Sequence, residues 1–156
     1  MSASRSGIGF DVHRFTRGRQ LRLGCVEIDG SEGLAGHSDG DVVCHAIADA
    51  LLGAAALGDV GLHFPDSDPS VEGISGEELL VRTRSLLAGR GLRPVSCDAT
   101  VICERPSIAP IRDLMREHVA RALSIDLGSV SIKATRPEGL GLIGDGIGCL
   151  AIAVVA

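Results

Sequence analysis

The order in which two hydrophobic periods follow one another constrains the fold of this chain most. Residues 7–15 (GIGFDVHRF) alternate, with Ile8, Phe10 and Val12 on one side and Gly9, Asp11 and His13 on the other. That is the period of two of a strand. Residues 21–28 alternate around Gly24 and predict a small hairpin. Ser38 then reads as an N-cap, with Asp41 three residues on, at the head of an Ala- and Leu-rich helix over 39–56. Residues 58–69 (GDVGLHFPDSDP) are turn chemistry and predict a loop. A second helix fits 76–89, with Leu79, Leu80, Thr83, Leu86 and Leu87 on one face. Strand, helix and strand follow at 95–103, 108–123 and 130–135, then a glycine-rich stretch and a closing apolar strand over 149–156. The order predicts an α+β fold: a mixed four-stranded sheet with helices on one face. No linker or repeat interrupts it, so residues 1–156 read as one domain.

Composition narrows the function classes. With 15 basic against 20 acidic residues, three Phe, no Tyr and no Trp, the chain lacks both the positive field and the stacking platforms of a nucleic-acid binder. No apolar run approaches the ~20 residues that span a bilayer. The N-terminus is too short and polar for a signal peptide. The five cysteines, Cys25, Cys44, Cys97, Cys103 and Cys149, form no CxxC. They read as reduced, mostly buried side chains of a cytoplasmic protein.

Several clusters carry chemistry. On a strand, Asp11 and His13 share a face, so a carboxylate and an imidazole project together as two ligands of a zinc site. His45, in the helix that follows, is the natural third. Asp41, His45 and Asp49 fall at i, i+4 and i+8, which places the two aspartates to orient the His45 ring, while Asp41 also reads as a cap of the helix. The free N–H groups at the helix start, beside His37 and Ser38, favour an anion. Asp59 and Asp66 suit hydroxyls or a metal, or are plain turn residues. Thr135, Arg136 and Glu138, after a strand, suit phosphate and a magnesium ion, or a helix start. Gly139 to Gly144 reads GxGxxG, but the chain ends too soon for a dinucleotide fold. Taken by itself, this points to metal-assisted chemistry on a phosphorylated small molecule, with a zinc hydrolase as the simplest form.

The runs GIGFDVHRF and LAGHSDGDVVCHAIADALLGAAALGDVGLHFPDSDP, then VSIKAT, Glu138 and Leu140-Gly141, resemble the 2-C-methyl-D-erythritol 2,4-cyclodiphosphate synthases of non-mevalonate isoprenoid biosynthesis. The likeness covers nearly the whole chain. It implies a homotrimer with its sheets around the threefold axis and active sites between subunits. It implies zinc on Asp11, His13 and His45, and Mg2+ or Mn2+ on Glu138. His37 and Ser38 would hold a phosphate; Asp59 and Gly61 the erythritol hydroxyls, with Phe64, Pro65 and Asp66 lining that pocket. Cys103, Pro106, Ser107, Ile108 and Ala109 would form the cytidine pocket. Ala134, Thr135, Arg136 and Leu142 would complete the substrate-binding set, with Thr135 counted, like Glu138, among the catalytic residues. The implied reaction is intramolecular: the 2-phosphate of CDP-methylerythritol 2-phosphate attacks the β-phosphorus and expels CMP, a metal-dependent lyase reaction.

Three stretches depart from the family pattern. Ser107 follows Pro106 where a lysine is usual. Thr135-Arg136-Pro137 replaces a run of threonines, and Arg136 is a candidate substitute for the lost charge. Gly144-Asp145-Gly146 stands where the family carries an arginine facing the trimer axis, so an axial isoprenoid diphosphate should be repelled. These departures leave two other readings open. One is a paralogue acting on a different nucleotide-linked phosphate. The other is a trimeric binding protein without turnover.

Overall fold

A computed structural model describes residues 3–30 and 32–156. The chain opens with strand β1 (Arg5–Thr16), the hairpin strands β2 (Leu21–Leu23) and β3 (Val26–Ile28), and the short β4 (Gly33–Leu34). Helix α1 (Val42–Ala54), the single turn α2 (Val60–His63) and α3 (Gly76–Ala88) follow. Strand β5 (Pro94–Ile102), helix α4 (Arg112–Leu123) and strands β6 (Val130–Thr135) and β7 (Gly146–Val155) complete it. The sheet is mixed, in the order β4-β1-β7-β5-β6. It has five strands where the sequence predicts four. The addition is β4, whose two residues pair antiparallel with Phe15 and Thr16 and are too short to show a period.

The centre of the sheet is the antiparallel pairing of β1 with β7, running from Arg5 opposite Val155 to Arg14 opposite Gly146. β5 runs antiparallel to β7 and parallel to β6. Under α1 the sheet is floored with small residues: Gly9, Cys97, Ala99, Cys149, Ala151 and Ala153 are all buried. The floor lets the helix sit backbone against backbone. A Cβ on Gly9 would lie 2.0 Å from the carbonyl oxygen of Ala46. The opposite face of the same strands carries Ile8, Phe10, Val12, Leu150 and Ile152, each between 39% and 67% exposed. Period two thus buries one row of β1 and β7 and leaves an apolar row uncovered.

Element ends shift from their expected places for local reasons. α1 begins at Val42 with Asp41 as N-cap, because Gly40 at φ 76 cannot belong to the helix; Ser38 is not the cap. The helix ends early because Ala56 sits at φ 56. α4 starts at Arg112, not at 108, since Pro110 disfavours helical backbone at Ala109. β7 starts earlier than its apolar run, at Gly146, where a Cβ would meet the His13 carbonyl oxygen at 2.2 Å. Residues 135–138 form no helix start; Glu138 lies in a turn at φ 54.

Candidate metal and substrate site

Strand β1 and helix α1 each contribute to one cluster. Asp11 Oδ2 lies 2.9 Å from His13 Nε2 and 3.1 Å from His45 Nδ1. The three side chains offer ligand atoms that all lie within 4.8 Å of one another. Each histidine is oriented through its other nitrogen. His13 Nδ1 faces the Ala35 carbonyl oxygen, and His45 Nε2 faces the Ser38 hydroxyl at 3.0 Å. In the neutral ring, an Nδ1–H donated to Ala35 leaves the His13 Nε2 lone pair aimed at the cluster, as a metal ligand requires. Nitrogen, nitrogen and carboxylate oxygen form a donor set suited to a divalent metal such as zinc with one position left open.

The electrostatics match that geometry. At Asp11 burial opposes ionisation, but hydrogen bonds from His13 and His45 and their charges outweigh it and hold the carboxyl well below the usual range. The Asp11 hydrogen bond raises His13 above its ordinary value, with burial opposing. Asp49, pushed up by burial, accepts the Val60 N–H at 2.8 Å.

Two expectations about this region are corrected. Asp41 and Asp49 do not orient the His45 ring; Ser38 and Asp11 do. Asp41 is fully buried and instead accepts N–H bonds from Val43, Cys44, Gly24 and Cys25. It therefore pins the Gly24-Cys25 turn, both residues at positive φ, to the head of α1. For the same reason the first N–H groups of α1 are not free for an outside anion; the cap carboxylate fills that place.

A cavity of about 430 Å³ opens beside the cluster, lined by His13, His37, Ser38, His45, Gly61, Phe64 and Asp66 among others. An adjoining cleft is lined by Asp11, His45, Asp49, Asp59, Val60 and Gly61. Asp59 also caps α2 by accepting the Leu62 N–H at 2.9 Å, so its turn and site readings hold together. His37 Nε2 and Asp66 Oδ2 stand 3.6 Å apart at the exposed rim. Pro65, between two lining residues, is half-buried. Sequence reasoning missed Arg19, whose guanidinium donates to the Gly36 and Ser38 carbonyls and ties the loop before α1 to the chain after β1. No local pattern marks a contact made across that separation.

A second cavity, of about 160 Å³, is lined by Cys103, Pro106, Ser107, Ile108, Ala109, Arg112, Ala134, Thr135 and Arg136. It gathers the residues expected to hold cytidine, along with Arg112. It shares no lining residue with the metal-side cavity. Glu138, exposed on its turn, and Leu142, 72% exposed, lie outside both linings. Asp145 pairs with Arg105 at 3.1 Å, and that arginine also faces Glu32 and lies over the Phe15 ring.

Taken together, an α+β fold with a two-histidine, one-carboxylate cluster able to take a divalent metal, beside a polar cleft, defines the class of small-molecule enzymes. A model of the YgbB family matches residues 4–156, and the chain belongs to that family. It is 51% identical over 150 residues to the 2-C-methyl-D-erythritol 2,4-cyclodiphosphate synthase of Chloroherpeton thalassium, covering 96% of each chain. The fold is similar to the solved structure of a 2C-methyl-D-erythritol-2,4-cyclodiphosphate synthase in its CDP-bound form, with TM-score 0.90 and 32% identity over 97% of this chain and all of that one. It is also similar to the bifunctional IspDF of Campylobacter jejuni, with TM-score 0.92 and 35% identity, covering 98% of this chain and 42% of that longer one. Among the described residues no helix is long and apolar enough to cross a membrane.

Proposed function

We infer that this chain converts CDP-methylerythritol 2-phosphate to 2-C-methyl-D-erythritol 2,4-cyclodiphosphate and CMP. The observation that carries the reading is the convergence of Asp11, His13 and His45 beside the cleft of Asp59 and Gly61, in a chain half identical to synthases of that name. The nucleophile, a phosphate oxygen of the substrate, is already an anion, so no general base is required. A new P–O bond forms at the β-phosphorus, the bridging P–O bond breaks, and CMP leaves with the bridging oxygen. The work is to hold two negative groups in line and to offset their charge.

Asp11, His13 and His45 would hold zinc, and Glu138 Mg2+ or Mn2+. Such ions supply charge neutralisation at the phosphate oxygens. His37 and Ser38 bind a phosphate through their side chains, and the Ser38 hydroxyl also keeps the His45 ring in place. Asp59 and Gly61 receive the erythritol hydroxyls, and Phe64, Pro65 and Asp66 close that side. The second cavity takes the cytidine, with Thr135 and Arg136 toward its phosphates.

The two cavities have no lining residue in common, which supports an active site assembled from two subunits. The uncovered apolar row on β1 and β7 supports a homotrimer with that face inward. Asp145, paired with Arg105, stands where the family resemblance implies an arginine, and micromolar binding of geranyl or farnesyl diphosphate would contradict the expected repulsion of an axial anion. The main test is phosphorus NMR of the protein with zinc, magnesium and the CDP-linked substrate. CMP and a cyclic diphosphate are expected. Free phosphate would indicate a hydrolase instead, and intact substrate with metal bound would indicate a different nucleotide-linked substrate.

A further inference from the structure

Cys25 and Cys44 take no part in the site, yet their sulfurs lie 3.3 Å apart. Cys44 is fully buried in the first turn of α1. Cys25 is half-buried in the β2–β3 turn, held at φ 65, a left-handed backbone that cysteine adopts only at a cost. Both are fixed by one carboxylate oxygen: Asp41 Oδ2 accepts the Cys25 N–H at 2.7 Å and the Cys44 S–H at 3.2 Å. On the far side a Cβ at Gly76 would come within 2.8 Å of Cys44 Sγ, so the start of α3 closes over that sulfur.

A metal ion does not suit this cluster. The Asp41 carboxylate already receives the Gly24, Cys25, Val43 and Cys44 N–H groups and the Cys44 thiol. These five donors more than fill the roughly four lone-pair sites a carboxylate offers. What the fold leaves available is sulfur facing sulfur.

We propose that Cys25 and Cys44 are an oxidisable dithiol that a hydroperoxide converts into an intramolecular disulfide. The half-buried Cys25 thiol meets the oxidant first. Its sulfur attacks the O–O bond of hydrogen peroxide, giving Cys25 sulfenic acid and one water. The Cys44 sulfur then attacks Cys25 Sγ. The S–S bond forms, the S–O bond breaks, and the Cys44 proton leaves with the hydroxyl as a second water. One peroxide is reduced and two thiols are oxidised. The sulfurs must close from 3.3 Å to about 2.05 Å. Asp41 holds both residues, but Gly76 backs Cys44 alone, so the half-buried Cys25 side chain is the part that closes the distance. The product staples the hairpin to α1, one residue before His45.

The test exposes the full-length protein to a small excess of hydrogen peroxide, then alkylates free thiols under denaturing conditions. Cleavage after Glu27 and Glu32 separates the two cysteines for mass spectrometry. The five thiols should fall to three, with Cys25 and Cys44 recovered as one cross-linked species, and dithiothreitol should restore all five. Cys25→Ser, a change at the half-buried member, should fold and form no internal cross-link under the same exposure. Five persisting thiols, Cys25 halted at sulfinic acid beside a free Cys44, or a cross-link between other cysteines would each overturn the proposal. No turnover is read, so the outcome is independent of the assigned reaction.

Discussion

Gly9→Ala should pull the two halves of the Asp11, His13 and His45 cluster apart. Gly9 lies two residues before Asp11 on β1, and it touches α1 at Ala46, the residue after His45. An alanine Cβ there would lie 2.0 Å from the Ala46 oxygen and 2.7 Å from the Ala50 nitrogen. Ordinary contact begins at about 3.4 Å, so helix and strand must separate by roughly 1.4 Å. Both clashing atoms are backbone, so no side-chain rotation relieves them. Overpacking of this kind costs about 3 kcal/mol at the upper end of its usual range. For a chain of this size that lowers Tm by about 6–12 °C. Metal ligation tolerates only about 0.2 Å in its distances, so zinc affinity should fall by more than about tenfold. Calorimetry and competition with a chelating zinc dye measure the two effects. Gly128→Ala is the control, since nothing lies within 4 Å of its Cβ position. A Gly9→Ala protein with the parent's Tm and zinc affinity would refute the argument that this glycine sets the distance between strand and helix.

Other expectations are more direct. His45→Ala should lose bound zinc and about 10²-fold or more of CMP release; full metal content by emission spectrometry would remove His45 from the ligand set. Zinc affinity of the metal-free protein should rise with pH. His13 titrates above its ordinary 6.5, so the Asp11–His13 pairing stabilises the metal-free fold below that value. That contribution is lost as pH climbs through the raised value, while the neutral imidazole becomes free to ligate; a flat affinity from pH 6 to 8 would contradict this. Glu138→Ala should raise the magnesium needed for half-maximal rate while leaving zinc content unchanged, and an unaltered magnesium titration would remove that role. Ile152→Asp, on the uncovered face, should leave a folded subunit by circular dichroism that elutes as a monomer and releases no CMP.

The parts of the site legible in the sequence were those set by local geometry. Asp11 and His13 project together because a strand alternates, and His45 follows a recognisable helix start. The parts that escaped depend on contacts between distant segments. Asp41 and Asp49 look like ring-orienting partners on a helical stripe. Their carboxylates are drawn instead to N–H groups at Gly24, Cys25 and Val60, which no period reveals. Ser38 has the sequence setting of a cap, but Gly40 turns the chain after it and leaves the hydroxyl to face His45. β4 exists only because β1 offers it an edge, and the Cys25–Cys44 approach only because Asp41 joins turn to helix.

In the proposed trimer, the disjoint linings of the two cavities would make each subunit a carrier of two separable half-instructions. A protein damaged in one half, such as His45→Ala, and a protein damaged in the other, such as a variant at the Thr135 cavity, would each be silent alone. Mixed and allowed to reassemble, they should restore activity, because some sites would draw one sound half from each parent. Random mixing in equal amounts makes about a quarter of sites whole. The gene would then show complementation between alleles of a single short chain, a behaviour ordinarily taken as the mark of two genes.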